Sequence, residues 1–223
     1  MTDSAFEEWL RNQATGDPAQ LKPDELTMWR QYYDETRPTG SIPPDMLRYE
    51  FFKLGFQYYI AGRYAVAAAL APVAGNLLHH AVEMFLKGGL AAHTTEDERK
   101  RCFRHGLVDL WSAFKTRLPS ANLEKFDPVI AALDKLEEIR YPENILKNGM
   151  AFSFAFGTET SVEIGGAATE KVPRYLLFVG EIDPLMGALC EASNINAKTF
   201  TTRYREPGLT YLKCENAETS LFE

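Results

Sequence analysis

The sequence predicts a predominantly helical α+β protein: a helix bundle preceded by two further helices and followed by a small antiparallel sheet. Three observations predict it. Apolar residues recur at helical spacing from about residue 45 to 139. The period then switches from 3.6 to 2 at Phe152, Phe154 and Phe156, which alternate with Ala151, Ser153 and Ala155. Prolines punctuate the chain at the expected element boundaries.

Two amphipathic segments open the chain. Residues 4–14 place Phe6, Trp9 and Leu10 on one helical face. The second segment starts near Pro23-Asp24-Glu25, where proline suits a first turn and acids suit the positive end of the helix dipole. It carries Leu26, Trp29, Tyr32 and Tyr33 and ends near Arg37-Pro38, before a linker over 38–44.

A long helix begins at Asp45, with Leu47, Phe51, Leu54, Tyr58, Ala61 and Ala65 at helical spacing. Small residues from Ala65 to Ala71 should let a neighbour approach closely, and Pro72 restarts the helix. The next helix, 73–91, has the clearest pattern. Ala74, Leu77, Leu78, Ala81, Val82 and Phe85 form a core-facing stripe. Asn76, His80, Glu83 and Lys87 form a narrow polar stripe opposite. A charged connection, Thr94 to Arg104, leads to a helix over 105–117 with Leu107, Leu110, Trp111 and Phe114 facing a core.

Asp127-Pro128 reads as an N-cap and first turn for a helix carrying Val129, Ile130, Leu133, Leu136 and Ile139, which stops at Arg140-Tyr141-Pro142. After the Phe152–Phe156 strand, Val162 and Ile164 suggest a second strand and Tyr175 to Val179 a third, in antiparallel order. Asp183-Pro184 reads as the cap of a closing helix with Leu185, Ala188 and Leu189. From Glu206 onward an irregular arm is expected.

Composition narrows the class. The 223 residues are 45% hydrophobic and 25% charged, enough apolar material for a substantial core. A net charge of −7 argues against a broad coat on nucleic acid and leaves room for a local basic patch. Cys102, Cys190 and Cys214 are odd in number and widely spaced, which suggests neither a disulfide framework nor a zinc site and fits a reducing, cytoplasmic setting. The N-terminus lacks the charged and apolar regions of a secretory signal. Pro72, Gly75 and Asn76 interrupt the most apolar stretch, Tyr64 to Leu78, which falls short of the roughly 20 residues a membrane span needs. No membrane insertion is expected.

Several side chains could carry chemistry. His79, His80, Glu83, Lys87 and His105 could converge on a groove where histidines and Lys87 hold a phosphate or a base and Glu83 orients them. The plainer reading pairs Glu83 with Lys87 at i,i+4 on a solvated face and ties a histidine into the fold. A metal site from His79, His80 and Glu83 is not expected, because one helix supplies too few ligands and no H-E-x-x-H is present. Arg99, Lys100, Arg101 and Arg104 could touch a nucleic-acid backbone, but Glu96, Asp97 and Glu98 stand directly before them and dilute their field. No P-loop, G-x-G-x-x-G, nucleophile elbow or C-x-x-C occurs, so no cofactor is expected.

Three segments, Asn76-Leu-Leu-His-His-Ala-Val-Glu-Met-Phe-Leu-Lys87, His105-Gly-Leu-Val-Asp-Leu-Trp111 and Arg140-Tyr-Pro-Glu-Asn144, resemble the HEPN superfamily in type and order. The likeness covers roughly residues 45–145. It implies an up-and-down four-helix bundle there; the helical extension (1–40) and the sheet with its closing helix (148–205), read from the residues above, have no counterpart in the family core, and 206–223 is the arm. It also implies a homodimer, an association with RNA, a nucleotide or a protein partner, and Arg140 as a further ligand contact. Family members include metal-independent endoribonucleases of toxin and phage-defence systems, and non-catalytic subunits. The family's RNase motif is an arginine, four to six residues and a histidine in the last core helix. The last histidine here is His105, so Arg140 has no downstream partner, and only Arg99 and His105 match the spacing. The resemblance therefore implies a non-catalytic binding module, with an endoribonuclease using displaced residues, or a structural interaction subunit, as the alternatives.

Overall fold

A computed structural model describes residues 43–223 apart from 104–105, 121, 159–171, 203 and 223, and residues 6, 23, 26, 27 and 30 before them. The chain forms two compact units, Met1–Ile42 and Pro43–Glu223. In the first, Pro23, Leu26, Thr27 and Arg30 are helical, and the Arg30 guanidinium lies 4.5 Å from the Phe6 ring centroid. The rest of the two expected front helices, and the linker before residue 43, lie outside the described residues.

The second unit is predominantly helical. Helix α1 (Pro44–Ala67) starts with proline and Asp45 in its first turn and packs along α2 (Ala71–Ala91). The expected stripe on α1 is displaced by about one residue. Leu54 is 39% exposed and Phe51 and Tyr58 are half-buried, while Phe52, Phe56 and Tyr59 fill the core. Apolar residues surround this helix, so the period identified it without setting its phase. Close approach comes from Gly55 and Gly62, not only from the alanines near Ala65. A Cβ at either would stand 2.6 Å from a side-chain carbon of Phe85 or Leu78. On α2 the stripe is as the sequence predicts, with Leu78, Ala81, Val82 and Phe85 fully buried.

The charged connection proves to be a helix, α3 (Glu96–Cys102), begun by a capping box in which Thr95 and Glu98 satisfy each other's backbone N–H groups. Helix α4 (Leu107–Arg117) buries Leu107, Leu110, Trp111 and Phe114 as expected. Helix α5 (Asp127–Lys135) continues as a 3₁₀ turn, Leu136–Ile139. Asp127 is its first residue rather than its cap, and its carboxylate accepts from Trp111 Nε1 at 2.6 Å and Lys115 Nζ at 2.7 Å. A short helix α6 (Pro142–Asn148) follows where the chain was expected to leave helical structure.

The sheet departs from expectation. Strands β1 (Ala151–Ala155) and β2 (Arg174–Phe178) pair parallel, Ala151 opposite Arg174 and Ala155 opposite Phe178. Residues 156–173 separate them, a connection long enough for the crossover that parallel pairing requires. The expected strand at Val162 and Ile164 lies outside the described residues.

Helix α7 (Val179–Ala192) emerges directly from β2, so Asp183 lies within it rather than at its cap. The expected irregular arm instead contains α9 (Gly208–Lys213), after a single turn α8 (Lys198–Thr201), and a closing 3₁₀ turn, Thr219–Phe222. Leu212, Asn216 and Phe222 are buried. This segment closes over a buried ion pair. Arg63 on α1 is inaccessible to solvent and grips both Asp183 oxygens from Nη1 at 2.5 Å. Its Nε donates to the Tyr211 carbonyl at 2.8 Å, and Nη2 donates to the Cys214 carbonyl. The Tyr59 hydroxyl donates to Asp183 and receives Asn216 Nδ2 at 3.1 Å. Burial pushes the Asp183 carboxyl above its ordinary value against the pull of Arg63, and pushes the Tyr59 phenol well up, so Tyr59 remains a donor. Truncating one partner strands the other charge in the core. Arg63→Met is expected to destabilise the protein by about 3–5 kcal/mol, and adding Asp183→Leu to recover much of that loss. Urea denaturation midpoints of the two variants check this, and an additive double mutant would contradict it.

Candidate functional site

Helix α2 positions the residues singled out in the sequence. His79 and His80 are consecutive, so the helix turns their side chains about 100° apart. His80 goes to the half-buried stripe with Glu83 and Lys87, and His79 goes inward.

The outer group is a closed set of contacts. His80 Nδ1 lies 2.9 Å from Glu83 Oε2, and Lys87 Nζ donates to Glu83 Oε1 at 2.6 Å. A carboxylate accepts, so Nδ1 of His80 carries the proton. Its Nε2 then has no hydrogen-bond partner among the described residues. A carboxylate-anchored imidazole with a free second nitrogen can accept a hydrogen bond or move a proton. Half-buried aromatics border the group. The Tyr58 ring centroid lies 5.5 Å from that of His80, Lys87 Nζ sits 5.7 Å from the Phe103 centroid, and Phe51 meets Phe103 edge-on at 5.6 Å. Partial burial raises the Glu83 carboxyl, but hydrogen bonds from Lys87 and His80 and their charges outweigh it and hold the pKa below the ordinary value.

The inner group is anchored by tertiary contacts. His79 Nδ1 stands 3.0 Å from the Leu133 carbonyl, which can only accept, so this nitrogen also carries the proton. His79 Nε2 faces Glu137 Oε1 at 3.4 Å, and Arg140 Nη1 reaches the same oxygen at 3.4 Å. With the proton on Nδ1, Nε2 can donate to Glu137 only when the imidazole is also protonated there. The two histidine rings meet edge to face at 5.6 Å. Lys87, Glu83, His80, His79, Glu137 and Arg140 therefore make one polar seam. It joins five of the six expected ligand contacts. The sixth, His105, lies outside the described residues.

The basic run is not part of the seam. Arg99 Nη1 donates to the Thr94 carbonyl at 2.6 Å and the Ala91 carbonyl at 3.3 Å, Lys100 pairs with Glu96 at 2.8 Å, and Arg101 Nε approaches the Asp97 carbonyl at 3.4 Å. Arg104 lies outside the described residues. Sequence reasoning missed Glu137, although its i,i+3 spacing from Arg140 was a signal, and it assigned no role to Phe103. No group of three or more His, Cys, Asp or Glu side chains that could hold a metal ion occurs among the described residues. No described helix is long and apolar enough to cross a membrane.

No family model, curated protein or solved structure matches the chain.

The lowered Glu83 pKa has a testable sign. A carboxyl with a depressed folded-state value contributes stability above its unfolded value, near the ordinary 4.5, and loses it as pH falls through the lower folded value. The stability gap between wild type and Glu83→Gln is therefore expected to be flat from neutral pH down to about 4.5 and to shrink below it, as urea melts across acid pH will show. A gap that widens on acidification would contradict the assignment.

Proposed function

We propose that the chain is a HEPN-like, non-catalytic binding module whose polar seam receives RNA or a nucleotide. The observation that carries this reading is the aromatic-bordered His80–Glu83–Lys87 group, with His80 Nε2 unpartnered among the described residues. With its proton on Nδ1, His80 presents Nε2 as an acceptor, which suits a base N–H or a ribose hydroxyl, and the aromatic border suits stacking. Arg140, at the far end of the seam and 40% exposed in its side chain, adds a cation for a backbone phosphate. Against catalysis, no arginine among the described residues makes a hydrogen bond, ion pair or ring contact with His80. Lys87 is committed to Glu83, and Arg99 to two carbonyls. The endoribonuclease reading keeps one favourable observation, the Glu83-oriented His80, which has the arrangement of a general acid or base.

One experiment separates the two. Labelled single-stranded RNA and labelled ATP are titrated in EDTA and low salt against wild type, Arg140→Ala and His80→Ala. The expected result is binding that weakens by about fivefold to tenfold in each variant, with the RNA intact. Absence of binding, or binding indifferent to both substitutions, overturns the proposal. RNA cleavage that His80→Ala abolishes promotes the endoribonuclease.

The module is proposed to act as a homodimer, as its family likeness implies. Tyr141 and Leu146, 58% and 86% exposed, leave apolar surface next to Arg140. Light scattering at micromolar concentration is expected to give about twice the 25.2 kDa chain mass; the mass of a single chain would refute it.

A further inference from the structure

We infer that an open cavity between α1 and the C-terminal segment binds a flat aromatic anion. None of its lining residues belongs to the seam, so this site stands independently of the function proposed above. The cavity holds about 400 Å³, within the roughly 300–1,000 Å³ usual for small-molecule sites. Helix α1 contributes Gln57, Ile60, Ala61 and Tyr64, and the segment after α8 contributes Tyr204, Arg205, Pro207, Gly208 and Tyr211.

The walls specify shape. Tyr64 and Tyr211 meet edge to face, their centroids 4.9 Å apart at 77°, and Tyr64 remains 48% exposed. Ile60, Ala61, Pro207 and Gly208 offer no side-chain hydrogen-bonding groups, so the floor favours a ring over a polyol. Arg63 holds one wall in place through its hydrogen bond to the Tyr211 carbonyl, so the cavity is built on the core.

Charge specifies the rest. Arg205 is the charged residue among the described lining residues, and it is exposed. Its guanidinium has no hydrogen-bond or ion-pair partner among the described residues. The neighbouring Glu206 carboxylate makes no ion pair with it and instead accepts, at Oε2, from the backbone N–H and hydroxyl of Thr210. An unpaired guanidinium at the rim of an aromatic cavity suits a planar two-oxygen anion, which it can grip bidentately while the attached ring lies among the tyrosines. Gln57 adds an exposed amide at the same rim.

The test is calorimetric titration of the full chain with 2-naphthoate, with neutral 2-naphthalenemethanol and with cyclohexanecarboxylate, an anion without an aromatic ring. The expected order puts 2-naphthoate at least about tenfold tighter than either control. Arg205→Gln is expected to remove most of the preference for 2-naphthoate over the alcohol, and Tyr64→Ala to weaken both naphthyl compounds. Both side chains are exposed, and circular dichroism melts verify that the variants fold. Equal affinity for all three probes, no measurable binding of 2-naphthoate, or 2-naphthoate binding unchanged by Arg205→Gln would each overturn the inference.

Discussion

The second unit is organised around one buried charge. A guanidinium near the C-terminal end of α1 is tolerable in a core only where its donors are met, since an uncompensated charge there costs several kcal/mol, on the order of the whole stability of a domain. Arg63 recruits those acceptors from two distant parts of the chain, the Asp183 carboxylate on α7 and the carbonyls of Tyr211 and Cys214. Tyr59 and Asn216 complete the network. The final residues are consequently part of the core rather than an appendage. The requirement also explains why α7 begins at Val179, about one turn before Asp183: Asp183 must face inward from within the helix, not cap its end.

That network also connects the fold to its surfaces. By fixing Tyr211, Arg63 holds the segment that forms one wall of the aromatic cavity. The seam on α2 depends on a different constraint, the close packing of α1 on α2 at Gly55 and Gly62. Bringing the two axes together there sets Tyr58 of α1 beside His80 of α2. Two surface features with different chemistry thus rest on two faces of the same long helix.

Legibility followed the range of the interactions involved. The α2 stripe was readable because apolar and polar residues separate cleanly around that helix. The α1 stripe was not, because Phe51, Phe52, Leu54, Phe56, Tyr58 and Tyr59 surround it and only its neighbours decide which face is buried. The alternating phenylalanines identified β1, but the turn read at Gly157-Thr158 pointed to an antiparallel neighbour, whereas β1 pairs parallel with the distant β2. Thr95 and Glu98 stood in view as a capping box, and the surrounding charges masked it. Asp183-Pro184 reads as a cap by every local rule, and only the distant Arg63 makes it a buried partner. Likewise, nothing local in residues 206–223 announces the carbonyls that Arg63 requires.

The same distinction runs through the seam. Glu83 lies three residues from His80 and four from Lys87, so these contacts are written into one turn of helix. The partners of His79, the Leu133 carbonyl and Glu137, come from α5 and the 3₁₀ turn after it and have no sequence signature near His79. Adjacent histidines on a helix diverge, so one can serve the surface while the other fastens two helices. Both are held through Nδ1–H, which fixes each ring and leaves Nε2 as the variable nitrogen. In His79 that nitrogen faces Glu137, a carboxylate already shared with Arg140. In His80 it faces no described hydrogen-bonding partner. A ligand bound there, as proposed, would meet an oriented imidazole beside an ammonium already neutralised by Glu83. Under the proposed function, recognition there would turn on hydrogen-bond direction and stacking more than on net attraction, which suits a chain whose overall charge is −7.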